Sequence, residues 1–203
     1  MGMKKMILAG ALLIAGCTAG LPPQGGSAPY VSRYPEPIDV SIPDNAPSIT
    51  QQFRAPDTQS AAGKAWGEHQ GLDVHAPLGT AVIAAAPGEV IQSYLDPAYG
   101  HTVMLSHGGS PAYWTRYTHL ASRTVSEGDR LKRGQALGTL GKSGVLAGGF
   151  LHLHFEVWEK PNGGPRTAID PHLKWADGVG KVTCFKGRNP RGAFKLTYPV
   201  PCG

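Results

Sequence analysis

Three short stretches of the sequence gather side chains that can bind a metal and move protons. The first is Leu151-His152-Leu153-His154-Phe155-Glu156-Val157-Trp158. Its alternation predicts a strand with Leu151, Leu153, Phe155 and Val157 on one face and His152, His154 and Glu156 on the other. Two histidines spaced by two then point the same way, about 7 Å apart along the strand, as a ligand and its neighbour at one site. The second stretch is His69-Gln70-Gly71-Leu72-Asp73-Val74. Extended, it turns Leu72 and Val74 to a core and His69, Gly71 and Asp73 to the opposite face, with Gly71 leaving room between the two polar side chains. Imidazole and carboxylate are both good zinc ligands. The third is Tyr113-Trp114-Thr115-Arg116-Tyr117-Thr118-His119-Leu120, where Tyr117 and His119 share a strand face and His119 can sit beside a metal without binding it. Each stretch alone is also what solvent-facing or packed histidines would give. Together, two histidines and one aspartate supply three ligands, and a catalytic zinc keeps its fourth position for water. Two histidines remain for acid–base and charge-stabilising work, which suits metal-assisted hydrolysis.

The elements that must position these residues read as strands. From about residue 66 to 158, short alternating or apolar runs are separated by glycine turns, with candidate strands at 70–75, 80–85, 88–95, 101–106, 113–119, 130–132, 135–140 and 151–158. No segment keeps a 3.6-residue period over a dozen residues, so the fold is expected to be all-β, mainly antiparallel, with few or no long helices. Glycine (28) and proline (18) are abundant and charged residues make up only 16% of the chain, which favours short strands and turns over long charged helices. Hydrophobic residues at 41% are enough for a real core.

The three motifs, in this order, resemble the lysostaphin/LytM-type zinc metallopeptidases. The connecting text matches too: Ala76-Pro77-Leu78-Gly79-Thr80, Ala84-Ala85-Ala86-Pro87-Gly88-Glu89-Val90, His107-Gly108, Val125-Ser126-Glu127-Gly128-Asp129 and Gly134-Gln135-Ala136-Leu137-Gly138. The resemblance spans about residues 49–175 and implies a β-sheet domain related in style to biotinyl/lipoyl-like barrels. It implies one Zn2+ per domain held by His69, Asp73 and His154, with His119 and His152 as catalytic residues flanking it. It also implies a murein (peptidoglycan) endopeptidase. The loop Lys142–Leu151 departs from the family's Ser/Thr/Gly-rich pattern, and His101 stands where Asn is commoner, so substrate preference at the groove rim is open. His107 is expected to give structural support, and His75, His101 and His172 to lie in loops or at the surface. Arg116 is expected to be a solvated strand residue, with a rim position meeting substrate carboxylates as the alternative. Two rival functions remain. A metal-free module that binds or activates murein amidases would lack ligands that are present here. A biotinyl/lipoyl-like carrier would need a Met-Lys-Met attachment site, which is absent.

The chain ends point to the compartment. Lys4 and Lys5 precede the apolar run Met6–Ala15, which is shorter than the roughly 20 residues of a membrane span and fits a signal peptide over 1–16. Leu13-Ile14-Ala15-Gly16-Cys17 resembles a bacterial lipobox, with Cys17 lipidated. Residues 17–48, rich in Pro, Gly and Ser, read as a tether. With Cys17 carrying lipid, Cys184 and Cys202 remain, and an exported chain meets an oxidising compartment that favours their disulfide. Residues 176–203 read as a basic hairpin turning at Gly187–Gly192. The net charge of +5 suits a polyanion, and nucleic acid, anionic lipid and cell wall all qualify on charge alone; the family resemblance implies peptidoglycan as the partner and no nucleic acid. The expected place is the cell envelope, anchored by the N-terminal lipid, at the periplasmic face of the outer membrane if the source is Gram-negative. No protein partner can be named.

Overall fold

The computed structural model describes residues 30–33, 37–54, 69–187, 190 and 192–203. Cys17, the segment 1–16 and the tether apart from 30–33 and 37–48 lie outside the described residues. Strands β1 (Tyr30–Arg33) and β2 (Pro37–Val40) pair as a small ribbon. Ten strands form the main sheet: β3 (Ile49–Gln51), β4 (Gly71–Val74), β5 (Ala81–Ile83), β6 (Gly88–Asp96), β7 (Gly100–Gly108), β8 (Ala112–Arg123), β9 (Arg130–Leu131), β10 (Ala136–Leu140), β11 (Leu153–Lys160) and β12 (Thr167–Ile169). Their order is β3-β4-β11-β8-β7-β6-β9, with β10 joining β5 to β8 and β12 lying against β11. All these ladders are antiparallel, and the described residues contain only short 3-10 turns as helix, so the fold is all-β as the patterning predicts.

Alternation explains the packing. Leu153, Phe155 and Val157 of β11, Leu72 and Val74 of β4, and Tyr117 of β8 are fully buried in one core. The opposite face of β11 is buried as well at His154 and Glu156, because polar side chains from neighbouring strands cover it. Gly71 makes that possible: a Cβ there would run into the carbonyl oxygen of Phe155 and crowd the His154 ring. So Gly71 opens space for the facing strand as well as between its own neighbours.

The alternation fails at one place that matters. On β8, Tyr117 pairs with Val103 and Leu120 pairs with His101, so β8 carries one extra residue against β7. His119 stands in this bulge with φ +60, a left-handed conformation uncommon for a histidine. Tyr117 and His119 therefore do not share a face as the simple strand pattern predicts. Tyr117 enters the core, where its hydroxyl accepts the Ala85 N–H at 2.9 Å, and His119 turns to the opposite side.

The two end segments also differ from their expected forms. Residues 37–48, read as tether, lie against the C-terminal segment: Ser41 N donates to Gly180 O, Val182 N donates to Ser41 O, and Ile38 is buried. Residues 176–203 build no hairpin ladder among the described residues. Ile83 N donates to Pro199 O, Thr197 N to Ala85 O and Leu196 N to Lys174 O, so this segment is pinned to other parts of the fold. Trp175, Val182, Leu196, Tyr198 and Val200 join the main core. Cys184 and Cys202 are bonded as a disulfide, with Cα atoms 5.9 Å apart.

Candidate metal centre

Asp73 on β4 and His154 on β11 are direct cross-strand partners, so the ladder itself sets two of the three expected ligands side by side. His69 precedes β4 and is held by paired backbone bonds with Arg54, 2.9 and 3.1 Å long. Nε2 of His69 lies 3.0 Å from Asp73 Oδ1 and 3.1 Å from His154 Nδ1. His154 Nδ1 lies 2.8 Å from the same Asp73 oxygen.

The donor chemistry of these three groups fits a cation. His69 Nδ1 is 2.8 Å from the carbonyl of Gln52, an acceptor only, so its hydrogen is committed there and Nε2 is left with a lone pair. His154 Nε2 is 3.1 Å from Glu156 Oε1, which likewise leaves Nδ1 as the free nitrogen. Two lone pairs and a carboxylate oxygen thus converge with only a positive charge to reconcile them. With no metal, a proton does this. Burial opposes charge on His154, but hydrogen bonds to Asp73 and Glu156 and the charges of those carboxylates bring its pKa up to about 9. Burial would raise Asp73, yet the hydrogen bond from His154 and the charge of that ring hold its carboxyl well below the usual range. A bound metal would take the place of that proton.

Behind the ligands lies a polar layer to which the motifs assign no role. Glu156 is 1% exposed and accepts from Trp158 Nε1 at 2.7 Å and Arg116 Nη1 at 3.3 Å as well as bonding His154. Arg116 is thus neither a solvated strand residue nor a rim residue; it is paired with Glu156 and its guanidinium lies 4.1 Å from the Tyr99 ring centroid. His172 corrects a second expectation. It is fully buried, accepts from Trp175 Nε1 at 2.8 Å and donates to Gln52 Oε1 at 2.7 Å. Since the Gln52 carbonyl holds His69, this chain supports a ligand from behind. The other histidines stay away from the ligands. His75 is exposed and bonds Leu151 O at 2.8 Å, His101 takes the Arg123 Nε–H at 3.2 Å, and His107 bridges Pro87 O and Thr115.

His119 and His152 stand together on the open side, ring centroids 4.8 Å apart, and the His119 ring is 6.1 Å from that of His154. The His119 Nδ1–H donates to Ser143 O at 2.9 Å. Ser143 is itself fixed by its hydroxyl, which donates to Leu120 O at 2.6 Å and accepts from His101 N at 2.9 Å. Burial, with the nearby His152 and His154, lowers the His119 pKa to about 4 against the opposing bond to Ser143, so its Nε2 carries a lone pair at neutral pH. His152 sits just ahead of β11, its Nδ1 3.1 Å from Phe150 O and its Nε2 facing Asp73 Oδ1 at 3.8 Å. The five residues line one open cavity of about 370 Å³, together with Gln51, Gln70, Tyr99, Leu146 and Glu156.

With this geometry in hand, comparison with known proteins is decisive at the family level. The model of Peptidase family M23 matches residues 67–171, just over half of the chain. The chain belongs to peptidase family M23. It is 40% identical over 126 residues to the peptidoglycan DD-endopeptidase ShyC of Vibrio cholerae, covering 61% of this chain and 28% of that protein. It is 33% identical over 108 residues to the uncharacterized lipoprotein YgeR of Escherichia coli, covering 52% of this chain and 38% of that one. The solved zinc-containing peptidase from Vibrio cholerae superposes with a TM-score of 0.52 at 29% identity, over 64% of this chain and 37% of that chain. The matched part spans less than two fifths of each of these proteins. M23 membership and the His–Asp–His cluster together imply a metal at the site.

Proposed function

We propose that this M23 domain is a zinc endopeptidase that hydrolyses peptide cross-links of murein. One observation carries the reading: His69, Asp73 and His154 converge on one point in the same cavity that the His119 and His152 rings line. The ligands would be His69 Nε2, Asp73 Oδ1 and His154 Nδ1, and a zinc ion there supplies Lewis acidity to a water and to the scissile carbonyl. His119, neutral and with Nδ1 committed to Ser143, can only accept at Nε2, so it takes the proton of the attacking water. His152 is the second histidine beside the ligands, and its imidazolium form would donate toward the developing oxyanion. The amide C–N bond then breaks, and the proton held on His119 passes to the leaving nitrogen. The Vibrio relative named as a peptidoglycan DD-endopeptidase supports murein as the substrate class.

The same reading extends to location. The lipobox-like Leu13–Cys17 and the lipoprotein relative support anchoring of the chain in the cell envelope through Cys17. The direct test of function is digestion of defined cross-linked murein fragments by the purified metal-loaded protein, followed by mass analysis of the products. Cleavage at a peptide bond that stops on metal chelation and returns with zinc is expected. Intact fragments under every condition would overturn the enzyme reading. Cys17→Ser should release the chain from membranes; retention at high salt would overturn the anchor.

A further inference from the structure

The sheet face that carries the metal site continues beyond it. β11 and β8 pair without a register shift from His154 opposite Thr118 to Lys160 opposite Ala112. His154, Glu156 and Trp158 therefore share one face with Thr118, Arg116 and Trp114. The Arg116–Glu156 ion pair and the Trp158–Glu156 hydrogen bond both fall on this face. Trp158 and Trp114 are cross-strand partners, half-buried, and four residues along the strand from His154, or about 13 Å. An extended peptide covers that distance in about four residues.

Over this tryptophan pair sits Arg166, the residue before β12. Its guanidinium is 5.3 Å from the Trp114 ring centroid and 5.4 Å from that of Trp158. Cation–π attraction to two indoles holds the group at the sheet face without using its N–H donors. Arg166 is exposed, and no acidic side chain among the described residues pairs with it. Arg116, by contrast, already has its carboxylate in Glu156. A pre-positioned guanidinium with open donors matches a carboxylate, which it can bind with two parallel hydrogen bonds.

We propose that Arg166, seated on Trp114 and Trp158, is a carboxylate subsite that binds a free carboxylate on one peptide arm of the substrate, about four residues from the bond cut. This rests on the murein-peptide reading above. Murein peptides carry carboxylates that are free or amidated, so the subsite would make the enzyme sensitive to that difference.

The test uses full-length metal-loaded protein and two cross-linked murein peptide dimers, identical except that one has its peptide carboxylates amidated. Wild type is expected to favour the free-carboxylate dimer by about tenfold or more in kcat/KM, chiefly through KM. Arg166→Gln should abolish that preference while leaving the zinc content and the melting temperature as in wild type. Trp158→Phe, which keeps a ring under the guanidinium, should keep most of the preference. Equal preference in wild type and Arg166→Gln would overturn the subsite, as would a wild type that cuts both dimers alike. If wild type cuts neither dimer, the peptidase reading fails, and calorimetric binding of the same dimers decides the subsite separately. Binding of the free-carboxylate dimer that is lost in Arg166→Gln supports it, and its absence overturns it.

Discussion

Asp73 and His154 face each other across the β4–β11 ladder, whereas Cys184 and Cys202 meet across a segment that forms no ladder with itself among the described residues. Both regions are packed on the same core, since Leu72 and Phe155 lie under the first and Leu196 and Tyr198 belong to the second. Their restraints differ. In the proposed metal floor, strand geometry aims each side chain, and a hydrogen bond from behind holds each proposed histidine ligand: Gln52 O for His69 and Glu156 for His154. In the C-terminal segment, scattered backbone bonds to Ile83, Ala85 and Lys174, the buried Arg133 guanidinium and one disulfide do the holding. The floor is therefore organised for chemistry and the tail for cohesion, and damage to each should be read by a different instrument.

The largest effects are expected in the floor. His69→Ala, Asp73→Ala and His154→Ala should each strip the metal on dialysis, measured by elemental analysis, and abolish turnover with it. His119→Ala and His152→Ala should keep the metal and lower turnover by about 10²–10⁴-fold, the range for acid–base assistance and lost oxyanion donors. If His119→Ala loses metal as readily as His154→Ala, the division between ligands and catalytic histidines is wrong. Next in size comes Glu156→Gln. It keeps the shape but weakens the hold on His154 Nε2, and metal affinity measured by chelator competition should fall by about 10–100-fold. An unchanged affinity would mean that the ladder alone suffices to aim His154.

The tail should answer in stability instead. The bridge closes a loop between residues 18 apart in sequence, and removing it should cost about 3 kcal/mol in the chain-entropy model. For a chain of this size that is a drop of about 6–12 °C in melting temperature for the Cys184→Ser, Cys202→Ser double variant. Zinc content and kcat at 25 °C should stay as in wild type. A fall in metal affinity in this variant would erase the separation between the two regions.

Most of the floor could be read in the sequence and most of the tail could not, for a physical reason. A strand has a period of two, so the faces of His152–Trp158 and His69–Val74 follow from local pattern, and the five expected site residues line one cavity. What the pattern lacks is register. Glu156 stands visibly on the ligand face, but its partner Arg116 is set by how β8 pairs with β11. The His119 bulge depends on the left-handed residue and on a bond to Ser143, 24 residues away, so alternation places Tyr117 on the wrong side. His172 reads from sequence as a loop or surface residue, although Trp175 three positions on is available to bury it. The short β12 (Thr167–Ile169), between glycine and proline turns, gives too little pattern to register. In the tail, Gly187 and Gly192 suggest a hairpin, but the two runs share the Tyr198 N to Thr183 O bond and the disulfide without a ladder, while Leu196, Thr197 and Pro199 bond Lys174, Ala85 and Ile83, and no local signal carries that information.

The smallest expected effect is a pH dependence that touches both regions through two histidines, His172 fully buried and His107 half-buried. His172 supports the floor through Gln52, and burial lowers its pKa to about 4. His107 packs its ring 5.0 Å from Phe194 of the tail; burial lowers its pKa to about 4, helped by the Arg133 charge and opposed by the bond to Pro87. Both are neutral in the folded chain at pH 7, and an unfolded histidine titrates near 6.5. Between about 6.5 and 4 the unfolded chain binds more protons than the folded one, so acid favours unfolding across that window. Above 6.5 neither state takes up the proton, and the contribution is constant and complete. At pH 5.5 the loss from His172 alone should be about 1 kcal/mol, or about 2–4 °C in melting temperature. His172→Gln is less stable at pH 7.5 because the bond to Trp175 is weakened, so the informative quantity is the slope between pH 7.5 and 5. That slope should be shallower than in wild type, and His107→Gln should flatten it in the same direction. Equal slopes in wild type and His172→Gln would mean that His172 takes up its proton in the folded chain as readily as in the unfolded one, which a neutral ring bonded to both Trp175 and Gln52 does not allow.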